Sequence, residues 1–295
     1  MKKRPFYIVD VFAENRYTGN QLAVFRNAES LSDYEMQQLA REMNYSETTF
    51  ILSDEVREGG YDVRIFTPET ELPFAGHPTL GTVYIIQREI VKERIDEIVL
   101  NLQIGKIPVT IKYVEEKPEL LWMKQIQPLF GKTFTPDLIS KILRLDKTDI
   151  NNQFPIQEVS TGVPCIIVPL KTLDAVKRAS VDRDRYFKLV NELTVKTILI
   201  FSTETYGKEN DLNVRFFADY YGVTEDPATG SGNGCLAGYL IKHNFLGRDR
   251  INVRVEQGYE INRPSLLFLS ASKKECGIDI SVGGRVVLIA EGNLF

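Results

Sequence analysis

Histidine and cysteine are scarce in this sequence of 295 residues, which contains two histidines and three cysteines. The cysteines, Cys165, Cys235 and Cys276, are far apart and odd in number, a usage typical of a reducing compartment. The histidines, His77 and His243, are isolated from each other and from the cysteines. We therefore predict a cytoplasmic protein with neither a disulfide framework nor a metal site.

Long apolar runs and an excess of one charge are also missing. No stretch approaches the roughly 18 consecutive apolar residues that a membrane-spanning helix needs. The net charge of −4 gives no basic surface for a nucleic acid or an anionic membrane. The sequence therefore predicts a globular protein with no nucleic-acid or membrane partner, long enough for two domains or one large one.

The common nucleotide-binding and nucleophile motifs are absent as well. The run GSGNG at residues 230–234 lacks the Lys-Ser/Thr pair of a P-loop and the glycine spacing of a Rossmann fingerprint. Ser231, His77 and Asp226 could be interpreted as a nucleophilic triad. The nucleophile-elbow pattern G-x-S-x-G is missing, however, so we reject that interpretation.

One stretch concentrates the residues that can carry chemistry, residues 67–81, which read TPETELPFAGHPTLG. A strand-like run leads into it, and an apolar helical run at residues 80–88 follows. Proline is favoured at the first helical position because its missing N–H would go unpaired there. Pro78 therefore predicts that His77 stands at the start of a helix, beside free backbone N–H groups that suit an anion.

The same arrangement occurs a second time at residues 225–235, which read EDPATGSGNGC. Aligning the two stretches and the strands before them matches four pairs of residues: Arg64 with Arg215, Glu71 with Glu225, Pro73 with Pro227, and Gly76 with Gly230. A glycine turn also precedes an apolar strand in each half, at Thr18 and at Thr161. We interpret this as an old internal duplication that provides two helix N-termini able to bind an anion. For a single turn, glycine and proline could simply mark a loop.

A candidate proton acceptor lies in YSETTFILS, a run typical of a strand. Alternation places Glu47 on the same face as Thr49 and Ile51. A carboxylate buried on that face would have a raised pKa and would accept protons better near neutral pH. The alternative is an exposed glutamate at the end of a strand.

The rest of the pattern predicts an α+β chain. A helix over residues 32–44 begins with the capping box of Ser32 and Glu35. The connection at residues 127–138 is the predicted boundary between the domains 1–127 and 128–295, and the last strand could return to the first domain. In the second half we predict helices over 136–144, 182–192 and 232–242, and strands over 164–170, 197–202 and 212–218, with four more strands after residue 250.

Five motifs together resemble the phenazine biosynthesis PhzF-like family of the diaminopimelate epimerase-like superfamily: DVF…GNQLAVF, SETTF, ELPFAGHPTLG, EDPATGSGNG and EQG…NRPS. The resemblance covers nearly the whole chain, with one departure at Gln21, where the family usually has proline. It implies an α+β fold of two similar domains, each a strongly curved, mostly antiparallel sheet wrapped around a central helix. It also implies an active site in the cleft between the domains.

The resemblance further implies a cofactor-independent isomerase, a homodimer, that moves a proton on a small carboxylate substrate. Glu47 would be the catalytic base, and His77 and Asp226 would assist it by relaying protons and holding polar groups. The substrate would be bound by Asn20, Gly76, Gly230 and Ser231. Because Asp226 carries its own charge, we expect it to be protonated or turned to a donor when the substrate anion is bound.

Two alternatives stay open. The first is an amino-acid racemase or epimerase, although relatives of that kind place a thiol at each helix start, and Cys235 lies about one turn inside its predicted helix. The second is a non-catalytic protein that binds small acids on the same scaffold. A buried Glu47 would favour an enzyme, because anion binding gains nothing from a buried carboxylate.

Overall fold

A computed structural model of the protein describes residues 4–294, and these divide into two compact units. Unit 1 comprises Met1–Lys124 and Gly283–Phe295, and unit 2 comprises Gln125–Val282. No helix among the described residues is long and apolar enough to cross a membrane.

Unit 1 is a sheet with two helices. Its elements in chain order are β1 (Arg4–Val11), β2 (Asn20–Phe25), α1 (Asp33–Met43), β3 (Glu47–Ile51), β4 (Tyr61–Phe66), β5 (Glu71–Leu72), α2 (Gly76–Ile86), β6 (Glu97–Leu102), β7 (Gly105–Val114), β8 (Lys117–Lys124) and β18 (Val286–Leu294). The strand order is β18–β1–β2–β3–β4–β6–β7–β8, and β5 is a short antiparallel addition to β4. The pairs β2/β3 and β4/β6 are parallel, and the others are antiparallel.

Helix α2 is the core of unit 1. Nine of its eleven residues are buried, and it contacts strands β1, β2, β3, β6, β7, β8 and β18. A helix that is apolar on all sides must be enclosed in this way. Gly81 permits the close approach, because a Cβ atom there would lie 2.5 Å from Leu22 Cδ2 and 2.9 Å from Val11 Cγ2.

The start of α2 corrects one prediction. The helix begins at Gly76, with Ala75 as an extended N-cap residue, so Pro78 is the third helical residue and not the first. Proline is tolerated there because the N–H groups of the whole first turn have no intrahelical partner. The helix also ends earlier than predicted, at Ile86, and continues as a wider π-helical turn over Gln87–Val91.

Unit 2 repeats the plan with more helices. Its elements are β9 (Leu129–Phe134), α3 (Pro136–Leu143), β10 (Ile156–Ser160), β11 (Pro164–Pro169), α4 (Leu173–Arg178), α5 (Arg183–Val190), β12 (Thr197–Ser202), β13 (Leu212–Ala218), β14 (Val223–Asp226), α6 (Gly230–Lys242), β15 (Arg250–Gln257), β16 (Ser265–Lys274) and β17 (Gly277–Gly284, its last two residues in unit 1). Helix α6 has eleven of its thirteen residues buried and contacts β10, β11 and β16.

The pairings follow the same order in both units. In unit 1, β1/β2 is antiparallel, β2/β3 is parallel, β3/β4 and β4/β5 are antiparallel, β4/β6 is parallel and β6/β7 is antiparallel. In unit 2, β10/β11 is antiparallel, β11/β12 is parallel, β12/β13 and β13/β14 are antiparallel, β13/β15 is parallel and β15/β16 is antiparallel. An internal duplication would produce this identity of order. The sequence did not predict β9, β10 or α4: β9 lies inside the predicted connection, where Gly131 and exposed residues obscure its alternation.

Candidate active site

The folded chain brings Glu47 and His77 together within unit 1. Glu47 is the first residue of β3, and His77 is the second residue of α2. The Nε2 atom of His77 lies 3.5 Å from Oε2 of Glu47, and the two side chains are 7% and 17% exposed. A buried hydrogen bond of 2.8 Å from Thr82 to Thr49 fixes α2 against β3 nearby. Glu47 is therefore the mostly buried glutamate of the two alternatives, and not the exposed one.

The imidazole of His77 is neutral. Burial lowers its pKa to about 3, and a hydrogen bond to the backbone of Gln21 opposes this only partly. Because that bond raises the pKa of His77, the ring is its donor. The donating nitrogen is Nδ1, since Nε2 has no hydrogen-bond partner among the described residues. The contact with Glu47 is therefore not an ion pair at neutral pH. The unprotonated Nε2 can accept a proton or a hydrogen bond from the Glu47 side.

Backbone donors lie beside this pair at the start of α2. Ala75 cannot cap the helix with a side chain, and Pro78 has no N–H. The Thr79 N–H reaches the Ala75 carbonyl oxygen at 3.3 Å, so the helix uses it internally. The N–H groups of Gly76 and His77 have no intrahelical acceptor, which is the arrangement that favours an anion.

Unit 2 presents the matching arrangement at the start of α6. Gly230 and Ser231 are its first and second residues, as Gly76 and His77 are in α2. Asp226 ends β14, and its carboxylate accepts a hydrogen bond from the Thr229 hydroxyl. The sequence placed this helix two residues too late, from 232. The N-cap residue, Thr229, decides the start by its extended backbone.

Gln257 and Asn233 are buried polar residues of this region to which the sequence assigned no role. The Gln257 amide donates to the Asp226 carbonyl oxygen at 2.9 Å and accepts from Asn233 Nδ2 at 2.8 Å. Both residues are fully buried. The available signal was the motif EQG, which contributed to the family resemblance but carried no chemical argument of its own.

Asn20 is also placed by the structure. It is the first residue of β2, is 2% exposed, and lies opposite Val11 of β1. The next residue, Gln21, supplies the backbone partner of His77. The start of β2 therefore holds the imidazole through its main chain.

The thiols and the second histidine lie elsewhere in unit 2. Cys235 is the sixth residue of α6, and its thiol contacts the Thr161 hydroxyl and the Val163 carbonyl oxygen at 3.5 Å. Burial and the neighbouring Cys235 raise the pKa of the Cys165 thiol. His243 is the C-cap residue of α6, but its Nε2 contacts Gln157 Oε1 at 2.8 Å, and burial lowers its pKa. The half-buried ring is therefore neutral at pH 7. Among residues 4–294, no group of ligating side chains could hold a metal ion.

The family profile described as phenazine biosynthesis-like protein (PhzC-PhzF) matches residues 9–292. The chain belongs to this family. An uncharacterized isomerase of Clostridium acetobutylicum is 30% identical to it, over 100% of this chain and 99% of the relative. The trans-2,3-dihydro-3-hydroxyanthranilate isomerase of Pseudomonas aeruginosa is 31% identical, over 98% of this chain and 99% of the relative.

Solved structures agree with the family assignment. The crystal structure of a PhzF-family phenazine biosynthesis protein from Bacillus anthracis is similar with a TM-score of 0.91 and 27% identity, covering 100% of both chains. A probable proline racemase from Agrobacterium radiobacter shares the fold at a TM-score of 0.63 and 9% identity, over 99% of this chain and 93% of that one. The predicted α+β, diaminopimelate epimerase-like fold is confirmed, and the protein is a PhzF-like isomerase.

Proposed function

We propose that the protein is a cofactor-independent isomerase that moves a proton on a small carboxylate substrate, with Glu47 as its single base. The observation that carries this proposal is the pair of Glu47 and His77, a mostly buried carboxylate beside a neutral imidazole nitrogen. No neighbouring positive charge of His77 stabilises the ionised form of this carboxylate, so it is suited to taking and returning one proton.

The proton shift needs only groups that the chain supplies. The Glu47 carboxylate removes a proton from one substrate carbon, and the electron pair of that C–H bond moves into the conjugated system. Protonated Glu47 can then donate a hydrogen bond to His77 Nε2, which holds the proton in place until it is returned to a second carbon. A positioned general base of this kind contributes typically about 10²- to 10⁴-fold to the rate.

In this proposal, the N-termini of α2 and α6 bind the negative charge of the substrate. The first-turn N–H groups of α2, at Gly76 and His77, and of α6, at Gly230 and Ser231, would bind carboxylate or developing enolate oxygens. Each helix terminus favours an anion by about 0.3–1 kcal/mol, and by more when partly buried. Asn20 and Asp226 would contact the polar substituents of the substrate, and Asp226 would bind as a hydrogen-bond donor.

The candidate substrate class is a ring carboxylate with an amino and a hydroxyl group. This follows from relatives of the chain that are named trans-2,3-dihydro-3-hydroxyanthranilate isomerase, from Pseudomonas aeruginosa and Pseudomonas fluorescens. The same relatives support the chemistry of a proton shift, because an isomerase of such a ring relocates hydrogen without changing its composition.

The experiment is incubation of the enzyme with trans-2,3-dihydro-3-hydroxyanthranilate in D₂O, followed by mass spectrometry. We expect isomerisation with deuterium incorporation, and a loss of at least about 10²-fold in Glu47→Gln, which keeps the shape and removes the base. Glu55→Gln, an exposed glutamate after the same strand, is the matched control and should retain full activity. Equal activity in the Glu47→Gln and Glu55→Gln enzymes would contradict the role of Glu47.

The same assay separates the alternatives. Exchange at the α-carbon of amino acids, without reaction of the ring carboxylate, would indicate a racemase or epimerase. Binding of carboxylates without any exchange would indicate a small-acid-binding protein. We also propose a cytoplasmic homodimer, and light scattering of the purified protein will show whether it has twice the mass of 33.6 kDa.

A further inference from the structure

The N-termini of the α-helices fall into two groups. In α1, α3, α4 and α5, the side chain of the N-cap residue accepts a hydrogen bond from the first turn, and the caps are Ser32, Thr135, Thr172 and Asp182. Among the α-helices of residues 4–294, α2 and α6 have no such bond. Ala75 of α2 has no polar side chain to offer. Thr229 of α6 is a residue type that caps well, and it still does not cap.

The backbone does not explain why Thr229 fails to cap. Its ψ angle is 98°, and Asp182 caps α5 with a ψ angle of 101°. The difference lies in the side chain. The Thr229 hydroxyl donates to the Asp226 carboxylate and accepts from Gln257 Nε2 at 3.1 Å.

Gln257 fixes this orientation. Its Nε2 group donates to the Thr229 hydroxyl and to the Asp226 carbonyl oxygen, and its Oε1 atom accepts from Asn233 Nδ2 and from the Thr229 N–H at 3.3 Å. Both amide donors and both acceptor sites are in use, so the amide cannot rotate without losing bonds. The Thr229 hydroxyl gives its proton to Asp226 and accepts from Gln257, and these two bonds together hold the side chain away from the first-turn N–H groups of α6.

We infer that Gln257 is a positioning residue that withholds Thr229 from the N-terminus of α6 and leaves the first-turn N–H groups open to a substrate carboxylate. In α2 the N-terminus is uncapped because Ala75 has no polar side chain, and in α6 the fully buried Gln257 produces the same uncapped N-terminus. The inference rests on the proposed function for the identity of the ligand. The diversion of Thr229 is a separate property that can be measured without any ligand.

The test uses the full-length protein and amide hydrogen exchange measured by NMR. In Gln257→Met the Thr229 hydroxyl loses the bond from Gln257 and keeps the one to Asp226, which leaves its lone pairs available to the first turn. We expect it to cap α6, so that the amide of Ser231 or Gly232 exchanges at least about fivefold more slowly. Adding Thr229→Ala to Gln257→Met removes the cap and should restore the original exchange rate. Gln157→Met, a buried glutamine at the other end of α6, is the matched control and should leave these amides unchanged.

Binding of anthranilate (2-aminobenzoate) is the second readout. We expect Gln257→Met to weaken binding about five- to tenfold and the added Thr229→Ala to recover part of the loss, although the double variant is less stable. A loss of packing alone would not be reversed by a second destabilising change. If Gln257→Met does not fold, Gln257→Asn, with an amide one methylene shorter, carries the same readouts.

The outcomes distinguish the two proposals. If the wild-type protein does not bind anthranilate, the proposed carboxylate site fails, while the exchange rates still decide the role of Gln257. If Gln257→Met leaves the exchange of Ser231 and Gly232 unchanged, or if Thr229→Ala does not reverse the change, the inference about Gln257 is overturned.

Discussion

Each unit holds the turn before its buried helix with the same ion pair, but at a different depth. In unit 1, Arg64 donates two bonds of 2.7 Å to Glu71, and the side chains are 24% and 21% exposed. In unit 2, Arg215 donates bonds of 3.0 and 2.7 Å to Glu225, and the exposures are 9% and 5%. The matched sequence positions therefore produce matched local geometry. How much each ion pair contributes to the unfolding free energy depends on how deeply it is buried.

The third partner of each arginine accounts for the difference in depth. Arg64 uses its remaining nitrogen on Asp33, an 83% exposed carboxylate at the start of α1. Arg215 uses its own on the carbonyl oxygens of Val176 and Ala179, at the end of α4. An arginine that terminates a buried helix end must itself be buried, whereas one that pairs with a surface carboxylate stays near solvent.

The largest expected effect in this comparison is that of Arg215→Met. The change keeps the aliphatic stem but leaves the Glu225 carboxylate and two carbonyl groups buried without the guanidinium. Breaking a buried pair in this way costs about 3–5 kcal/mol of unfolding free energy. Urea denaturation at pH 7 measures this loss. A loss below about 1 kcal/mol would show that the burial of this ion pair does not increase its contribution to the unfolding free energy.

A smaller effect separates the second residues of the two buried helices, His77 and Ser231. The pKa of His77 is lowered to about 3 in the folded protein, below the usual value near 6.5 of the unfolded chain. On acidification the unfolded state therefore binds a proton at His77 that the folded state does not bind. As a result, the unfolding free energy is not reduced by His77 well above pH 6.5, and it decreases as the pH falls below that value. Between pH 7 and pH 5 the decrease is about 2 kcal/mol.

The test compares unfolding free energies at pH 7 and pH 5. His77→Gln should remove about 2 kcal/mol of the pH dependence seen in the wild-type protein. Ser231→Ala should leave that dependence intact, because serine does not titrate. An unchanged pH dependence in His77→Gln would mean that His77 titrates in the folded protein as it does in the unfolded chain.

The smallest expected effect is that of Arg64→Met, which removes the arginine of the more exposed of the two ion pairs. Solvent screens both Arg64 and its partners, so the expected loss of unfolding free energy is only about 1 kcal/mol. The same urea titration measures it beside Arg215→Met. Equal losses in the two variants would contradict the argument from burial.

The sequence alone predicted much of the local structure. The strand that leads into residue 67, the strands at 197–202 and 212–218 and the capping box of α1 are as predicted, because alternation and capping are read from neighbouring residues. The starts of α2 and α6 were each predicted two residues too late. Those starts depend on the extended backbone of Ala75 and Thr229, which the residue types at these positions do not specify.

The candidate site shows the same division. The residue types at Glu47, His77 and Ser231 and their places at a strand start and two helix starts followed from spacing and from proline and glycine. Only the tertiary structure decided that His77 is neutral and faces Glu47, because both its burial and its bond to Gln21 come from a strand 56 residues earlier. Only the tertiary structure also brought Gln257 to Thr229, since periodicity reports which face a side chain occupies and not which distant partner it will find.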